Sequence, residues 1–229
     1  MDLTFLDEEG QPVTLEQVVG SRPFLLAMVY YNCSSICSPF LNGIVDMVRI
    51  SPSQLQPGTD YTLVTISFNP EEGPSLAKAK KESYFNLLGA EKSPDPSAWR
   101  FLTGDEDNIH RLTDAIGFHY QKEGSEYNHA SSLIAISAKG RIARYLRGLS
   151  FLPVEVMMAV LDAREDRWAP TIRKVVAFCF TEDPQGSGYY FNVLRVFGTL
   201  VALALTVFAV SLFFLNRKGR SLKPTEDFS

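Results

Sequence analysis

Pro23 to Val45 reads PFLLAMVYYNCSSICSPFLNGIV. Its first nine residues form a continuous apolar and aromatic run, as expected of a strand covered on both faces. Past the two cysteines, Pro39 can open a helix, along which Phe40, Leu41, Ile44, Val45 and Val48 recur at helical spacing. The stretch therefore reads as a buried strand, a polar loop with Cys33 and Cys37, and an amphipathic helix.

The alternation continues outward. Leu3 to Gly20 reads as two short extended pieces separated by a Glu-Glu-Gly turn. Ser51-Pro52 stops the first helix, Tyr61 to Ser67 is a second buried strand, and Ser75 to Leu88 a charged helix. Trp99 to Leu102 is a short strand, and Asp105 to Ile116 a helix with Ile109, Leu112 and Ile116 on one face. Ser132 to Ser137 and Arg141 to Leu146, joined at Ala138-Lys139-Gly140, read as an antiparallel hairpin, and Pro153 starts a last helix to about Ala163. Strands spaced by helices and closing with a hairpin and a helix predict an α/β fold, a thioredoxin-like three-layer sandwich.

Val196 to Leu215, VFGTLVALALTVFAVSLFFL, carries no charge over twenty residues. A helix of that length is about 30 Å long, the thickness of the bilayer hydrocarbon, so a C-terminal transmembrane helix is expected. Arg217, Lys218, Arg220 and Lys223 follow it, against Arg195 immediately before it. The positive-inside rule then places the tail in the cytoplasm and the large domain on the periplasmic side, with membrane lipid as a partner. The expected organisation is a domain over 1–182, a linker and juxtamembrane segment over 183–195, the span over 196–215 and a tail over 216–229. Met1-Asp2-Leu3 opens into polar sequence without a signal peptide, so a missing leader is expected.

Net charge is -4, with 22 basic and 26 acidic residues, which argues against nucleic acid as a partner. Three cysteines make no disulfide framework. Cys33 and Cys37 lie at the carboxyl end of a strand, where open α/β sheets bind ligands, and before a helix N-terminus, which favours thiolate. The pair can close on one soft ion or on itself as a disulfide. Two thiolates prefer copper(I), zinc or cluster iron and reject magnesium and calcium. A third ligand would come from His110, mid-helix and solvent-facing, from His119 in a connecting segment, or from His129 in a loop entering the Ser132 strand. In a thioredoxin-like sheet the last loop abuts the corner bearing Cys33. Asn32, Ser34, Ser35 and Ser38 argue that the cysteine loop is exposed rather than core. Cys179 reads as a small buried hydrophobe, with a membrane-proximal redox or metal role as the alternative.

These fragments in this order resemble the SCO/SenC copper chaperones of cytochrome oxidase assembly, in the branch with a C-terminal membrane helix. YYNCSSICSPFLNGIV is similar to that family's CxxxCP-type motif, with Ser38 between Cys37 and Pro39. VTISFNPEE, WRFLTGDEDNIHRLTDAIGFHY, YNHASSLIAISAKGRI and AFCFTEDPQGSGYY resemble successive segments. Asn69 and Asn128 stand where aspartate is frequent, and Ser137-Ala138 where Asp-Pro is frequent.

The resemblance implies a domain that binds a copper ion, Cu(I) and also Cu(II), through Cys33, Cys37 and His129. It also implies help in building the dinuclear copper centre of cytochrome c oxidase subunit II, with another copper carrier or a thiol reductant as a further partner. The competing reading is a membrane-anchored thiol-disulfide oxidoreductase, in which Cys33 and Cys37 are catalytic and reduce the cysteines of that subunit or another extracytoplasmic partner. Enzyme activity is left open between the two. A peroxidase would need a strongly acidic cysteine beside a basic group, and only Arg22 lies upstream.

Overall fold

The computed structural model describes residues 2–33, 36–51, 55–124, 126–169, 180–182 and 189–191, together with 197, 198, 201, 203–208, 210 and 211. The chain divides into two compact units, Met1–Thr171 and Ile172–Ser229.

The first unit begins with β1 (Thr4–Leu6) and β2 (Pro12–Thr14), an antiparallel pair, followed by a short helix α1 (Leu15–Val19). The helix replaces part of the second extended piece expected from the sequence. It forms because Thr14 accepts from the Gln17 N–H while the Gln17 side chain accepts from the Thr14 N–H, a reciprocal cap that satisfies two otherwise orphan donors.

Next come β3 (Phe24–Val29), α2 (Cys37–Ile50), β4 (Thr62–Ser67), α3 (Pro74–Leu88), β5 (Trp99–Leu102) and α4 (Glu106–Ala115). The unit continues through β6 (Tyr120–Glu123), β7 (Glu126–His129), β8 (Ser132–Ile136), β9 (Ile142–Arg147) and α5 (Pro153–Arg164). Five strands form the central sheet in the order β5-β4-β3-β8-β9. β4 lies parallel to both β3 and β5, whereas β8 runs antiparallel to β3 and β9. The fold is thus mixed α/β around a central sheet, as expected.

Every residue of β3 and of β4 is buried, which requires cover on both faces and explains why these strands read as unbroken apolar runs rather than as alternations. α3 packs on β5, and α5 on β8 and β9. Tyr31, just past β3, is tethered by its hydroxyl to the Leu102 carbonyl at 2.8 Å, a buried phenol finding the partner it needs. The tether anchors the start of the cysteine loop to the end of β5.

β3 and β4 are parallel neighbours, so the loops leaving their carboxyl ends emerge side by side. One carries the cysteines and the other carries residues 69–73.

In the second unit β10 (Phe180–Glu182) pairs antiparallel with β11 (Tyr189–Phe191). Most of the expected linker and tail, Cys179 and part of Val196–Leu215 lie outside the described residues. Among the described residues no helix is long and apolar enough to cross a membrane. Those described within that stretch are helical and exposed.

Candidate metal centre

The chain leaves β3 through Tyr30 and Tyr31, and the Cys33 N–H turns back to the Tyr30 carbonyl at 3.3 Å. Helix α2 then starts on Cys37, two residues earlier than Pro39 suggests. Its N-cap, Ile36, makes no side-chain hydrogen bond, and the Cys37 N–H instead donates to Cys33 Sγ at 3.4 Å. The first cysteine thus takes up one of the N–H donors that a helix leaves without an intrahelical partner at its start.

The loop differs from expectation in one respect. Asn32 and Ile36 are exposed, yet Cys33 and Cys37 retain only 8% and 3% of their surface. The sulfurs turn inward from the exposed Asn32 and Ile36, and both cysteines are thiols rather than halves of a disulfide. Burial, above all, pushes the Cys37 thiol well up from its ordinary value, with Cys33 and Glu72 adding to the rise against a bond to the Tyr30 backbone. The helix N-terminus would favour thiolate, but removal from water outweighs it.

His129 is the last residue of β7, not part of a loop. β6 and β7 form a two-stranded hairpin outside the central sheet, with Tyr120 opposite His129 and Lys122 opposite Tyr127. The hairpin delivers the imidazole to the cysteines, and His129 Nε2 stands 3.6 Å from Cys37 Sγ. Nδ1 lies 3.2 Å from the Ala130 carbonyl. A carbonyl can only accept, so this contact places the proton on Nδ1 and leaves the Nε2 lone pair facing the sulfur. Phe68, Phe118 and Tyr30 surround the ring at centroid distances of 4.9, 5.8 and 6.1 Å. That burial lowers the imidazole's pKa, against a smaller opposite effect of the Ala130 carbonyl, so the ring is neutral at neutral pH.

A sulfur and an imidazole nitrogen sharing one d-block ion, at bonds of about 2.3 and 2.0 Å, stand about 3.5 to 3.7 Å apart. The Cys37–His129 separation fits that spacing. The third expected ligand is less closely gathered. Among the described residues, only Asp7, Glu8 and Glu9 bring three ligating atoms of His, Cys, Asp or Glu within 4.8 Å of one another, so the ligating atoms of Cys33, Cys37 and His129 are spread more widely than that. Cys33 Sγ faces the Cys37 N–H and the Tyr30 hydroxyl instead. The acidic cluster is already spoken for: Arg100 bonds both Asp7 and Glu8, and Lys81 bonds Glu8.

The other histidines stand apart. His110 is exposed on α4, 3.9 Å from Glu106 and stacked on Tyr120, and His119 is exposed in the segment after α4. Asn128, which stands where the resembling family frequently has aspartate, turns to Glu123 and donates to its carboxylate at 3.5 Å. The backbone of Ala130 orients the ring in its place.

Two acidic residues belong to the site without any sequence motif to mark them. Glu126 accepts a hydrogen bond from the Tyr30 hydroxyl, pinning β7 to the end of β3. Glu72, on the loop after β4, accepts from the backbone N–H groups of Tyr31 and Asn32 and from Ser67 Oγ. The signal for Glu72 is only indirect, since it requires knowing that β3 and β4 are neighbours.

The family model described as SCO1/SenC matches residues 1–164. No curated protein matches the chain by sequence. Among solved structures, a protein of Aquifex aeolicus VF5 is similar at 22% identity and TM-score 0.63, covering 72% of this chain and 90% of that one. Arabidopsis thaliana ScoI with copper bound is similar at 15% identity and TM-score 0.52, covering 70% and 96%. BsSco, a member of the Sco family of cytochrome c oxidase assembly proteins described for its disulfide switch, is similar at 20% identity and TM-score 0.53, covering 70% and 90%. At these identities the likeness is one of fold.

Proposed function

This chain belongs to the SCO1/SenC family, and from that premise we propose that it is a copper-binding protein of cytochrome c oxidase assembly. Its thioredoxin-like domain holds the ion as cargo between Cys33, Cys37 and His129 and serves the dinuclear copper centre of subunit II. The carrying observation is the pairing of the Cys37 thiol with a bare imidazole nitrogen at 3.6 Å. Two soft sulfurs and one neutral nitrogen suit copper(I), and the nitrogen also admits copper(II). Copper bound in a solved structure of the same fold supports this reading.

The residues divide the work. Ala130 fixes the tautomer, so His129 can coordinate without first losing a proton. The aromatic wall keeps water from the imidazole. Both sulfurs must be thiolate to bind, so loading expels protons from a pair that burial keeps protonated at Cys37. Copper and protons therefore exchange, and a partner that offers better ligands can draw the ion out through the exposed rim at Asn32 and Ile36.

The thiol-disulfide oxidoreductase is the second reading, and Cys33, in contact with the Cys37 N–H, is the thiol it would use for attack. A buried Cys37 with a raised pKa suits a resolving thiol, not an attacking one. In both readings the domain is anchored by Val196–Leu215 and faces the periplasmic side. Titration of the reduced protein with copper(I) against a chromophoric chelator decides between them. One tightly held equivalent supports the carrier. No stoichiometric copper, together with rapid reduction of a partner disulfide, overturns it in favour of the oxidoreductase.

A further inference from the structure

Glu72 is 6% exposed. Its carboxylate has no cationic partner among the ion pairs of the described residues. It is held by neutral donors alone: the Tyr31 N–H at 2.6 Å, the Asn32 N–H at 2.8 Å and Ser67 Oγ at 2.6 Å. Sequestering a carboxylate in this way costs free energy that charge-assisted bonds only offset. The cost goes to ordering two consecutive backbone amides immediately before Cys33, where β3 has ended and its ladder no longer supplies acceptors.

The neighbouring residues of the same loop grip the other half of the site. Asn69 Oδ1 accepts from the Tyr127 hydroxyl at 3.3 Å, and Glu71 pairs with Lys122 at 3.4 Å. Tyr127 and Lys122 face each other on the hairpin that carries His129. Residues 69–72 therefore contact both the segment that bears the cysteines and the segment that bears the histidine, which are 92 residues apart in the chain at Cys37 and His129.

We propose that Glu72 is a positioning residue for the metal centre: by clamping the Tyr31 and Asn32 amides it sets how the chain enters Cys33 and so where that sulfur stands relative to Cys37 and His129. The proposal rests on the copper reading for its consequence and on the hydrogen bonds alone for its mechanism. Three donors converge on two carboxylate oxygens. Gln offers one oxygen and an NH2 group, and an NH2 facing an N–H cannot bond it, so Glu72→Gln must release Tyr31 or Asn32. Glu72→Asp keeps both oxygens on a shorter stem and should retain part of the clamp.

The test uses the full chain in detergent, in parent, Glu72→Gln and Glu72→Asp forms. Leu88→Ala, a core truncation on α3, calibrates any loss of stability. Three measurements are made: amide hydrogen exchange at Tyr31 and Asn32, the midpoint potential of the Cys33–Cys37 dithiol, and copper affinity with the thiolate-to-copper charge-transfer spectrum of the copper(II) form. In Glu72→Gln, exchange at one or both amides should accelerate while β8 amides keep parent protection, the dithiol potential should move, and copper affinity should fall roughly 10- to 100-fold with a shifted spectrum. Glu72→Asp should fall between, and Leu88→Ala should keep the parent spectrum. Parent exchange rates and parent potential in a folded Glu72→Gln protein would overturn the proposal. So would equal spectral changes in Leu88→Ala. If the parent takes up no copper, the copper reading falls, and the exchange rates and the potential decide Glu72 on their own. If Glu72→Gln does not fold, the exchange rates of Glu72→Asp decide: faster exchange confined to Tyr31 and Asn32 supports the clamp, and parent rates overturn it.

Discussion

A methyl group added to Gly43 would stand 1.8 Å from the backbone carbonyl oxygen of Leu149. Helix α2, which begins on Cys37, therefore lies directly against the segment that joins β9 to α5, and glycine is required there for close approach rather than for an unusual backbone conformation. Backbone cannot swing aside as a side-chain tip can, so Gly43→Ala must shift the helix or the loop. A destabilisation of about 3 kcal/mol is expected, at the upper end of overpacking costs. Chemical denaturation of the parent and variant measures it. An unchanged midpoint would mean that α2 moves freely on its neighbours.

Two buried acid–base clusters set how stability follows pH. Burial raises the carboxyl of Glu8, but bonds from Arg100, Lys81 and the Phe101 N–H bring it below the ordinary value of 4.5. Burial likewise raises Asp162, and Arg167 and Arg144 reverse the shift. A pKa depressed in the folded state means that the unfolded chain binds protons more readily. Stability from these groups is thus present above the unfolded values of about 4 to 4.5 and is lost as pH falls through the folded ones. The melting temperature should be flat near neutrality and drop steeply below about pH 4.5.

Glu8→Gln removes the carboxylate that Arg100 and Lys81 share and should cost about 3 kcal/mol at pH 7, since it leaves the half-buried Arg100 with Asp7 as its remaining ion-pair partner. The cost should shrink in acid, as pH falls below the unfolded carboxyl's ordinary value and towards the lowered folded one. Denaturation at pH 7 and pH 3.5 gives both numbers. A penalty that does not depend on pH would show that Glu8 acts through shape alone.

Much of the architecture is legible because its strands are extreme. PFLLAMVYY and YTLVTIS read as doubly covered strands and hold β3 and β4, buried throughout, and the Ala138-Lys139-Gly140 turn marks its own hairpin. α1 is hard to see although Thr14 and Gln17 spell a capping box, because five residues show no periodicity. The hairpin of Tyr120–Glu123 and Glu126–His129 escapes a reading of pattern because its residues are half-exposed and polar, which removes the alternation that betrays a strand. Cys33 and Cys37 stand out by spacing, but their burial does not, since Asn32 and the surrounding serines speak for solvent while the sulfurs turn inward. Glu72 and Glu126 act across strand order, and strand order is not written in local sequence.

The proposed membrane topology follows from charge. Four basic residues after Leu215, Arg217, Lys218, Arg220 and Lys223, face one immediately before the proposed span, Arg195. The cytoplasmic side retains the basic flank, so protease added to intact spheroplasts should digest the domain and spare a tag placed after Ser229. Digestion of the tag with protection of the domain would reverse the orientation. Release of the whole chain by high salt would remove the span.

Variants of the metal centre discriminate among the donors. Cys33→Ser and Cys37→Ser should each weaken copper(I) binding by several orders of magnitude, because a hydroxyl neither ionises near neutral pH nor matches a soft ion. The two need not be equal. Cys37 already faces His129 at 3.6 Å, whereas Cys33 has to exchange its contact with the Cys37 N–H for one with the ion. Loss of Cys37 should therefore also abolish nitrogen coordination, and loss of Cys33 should leave a weak sulfur–nitrogen pair. His129→Ala should retain residual binding by two sulfurs with a lower coordination number, while His110→Ala and His119→Ala, both in exposed positions apart from the sulfurs, should match the parent. X-ray absorption at the copper edge reads each outcome directly: two sulfurs and one nitrogen in the parent, two sulfurs alone in His129→Ala. A parent spectrum without nitrogen, or copper affinity unaffected by His129→Ala, would remove the imidazole from the ligand set. The Cys37–His129 contact would then be a packing arrangement, and the two thiols would be left to carry the oxidoreductase reading.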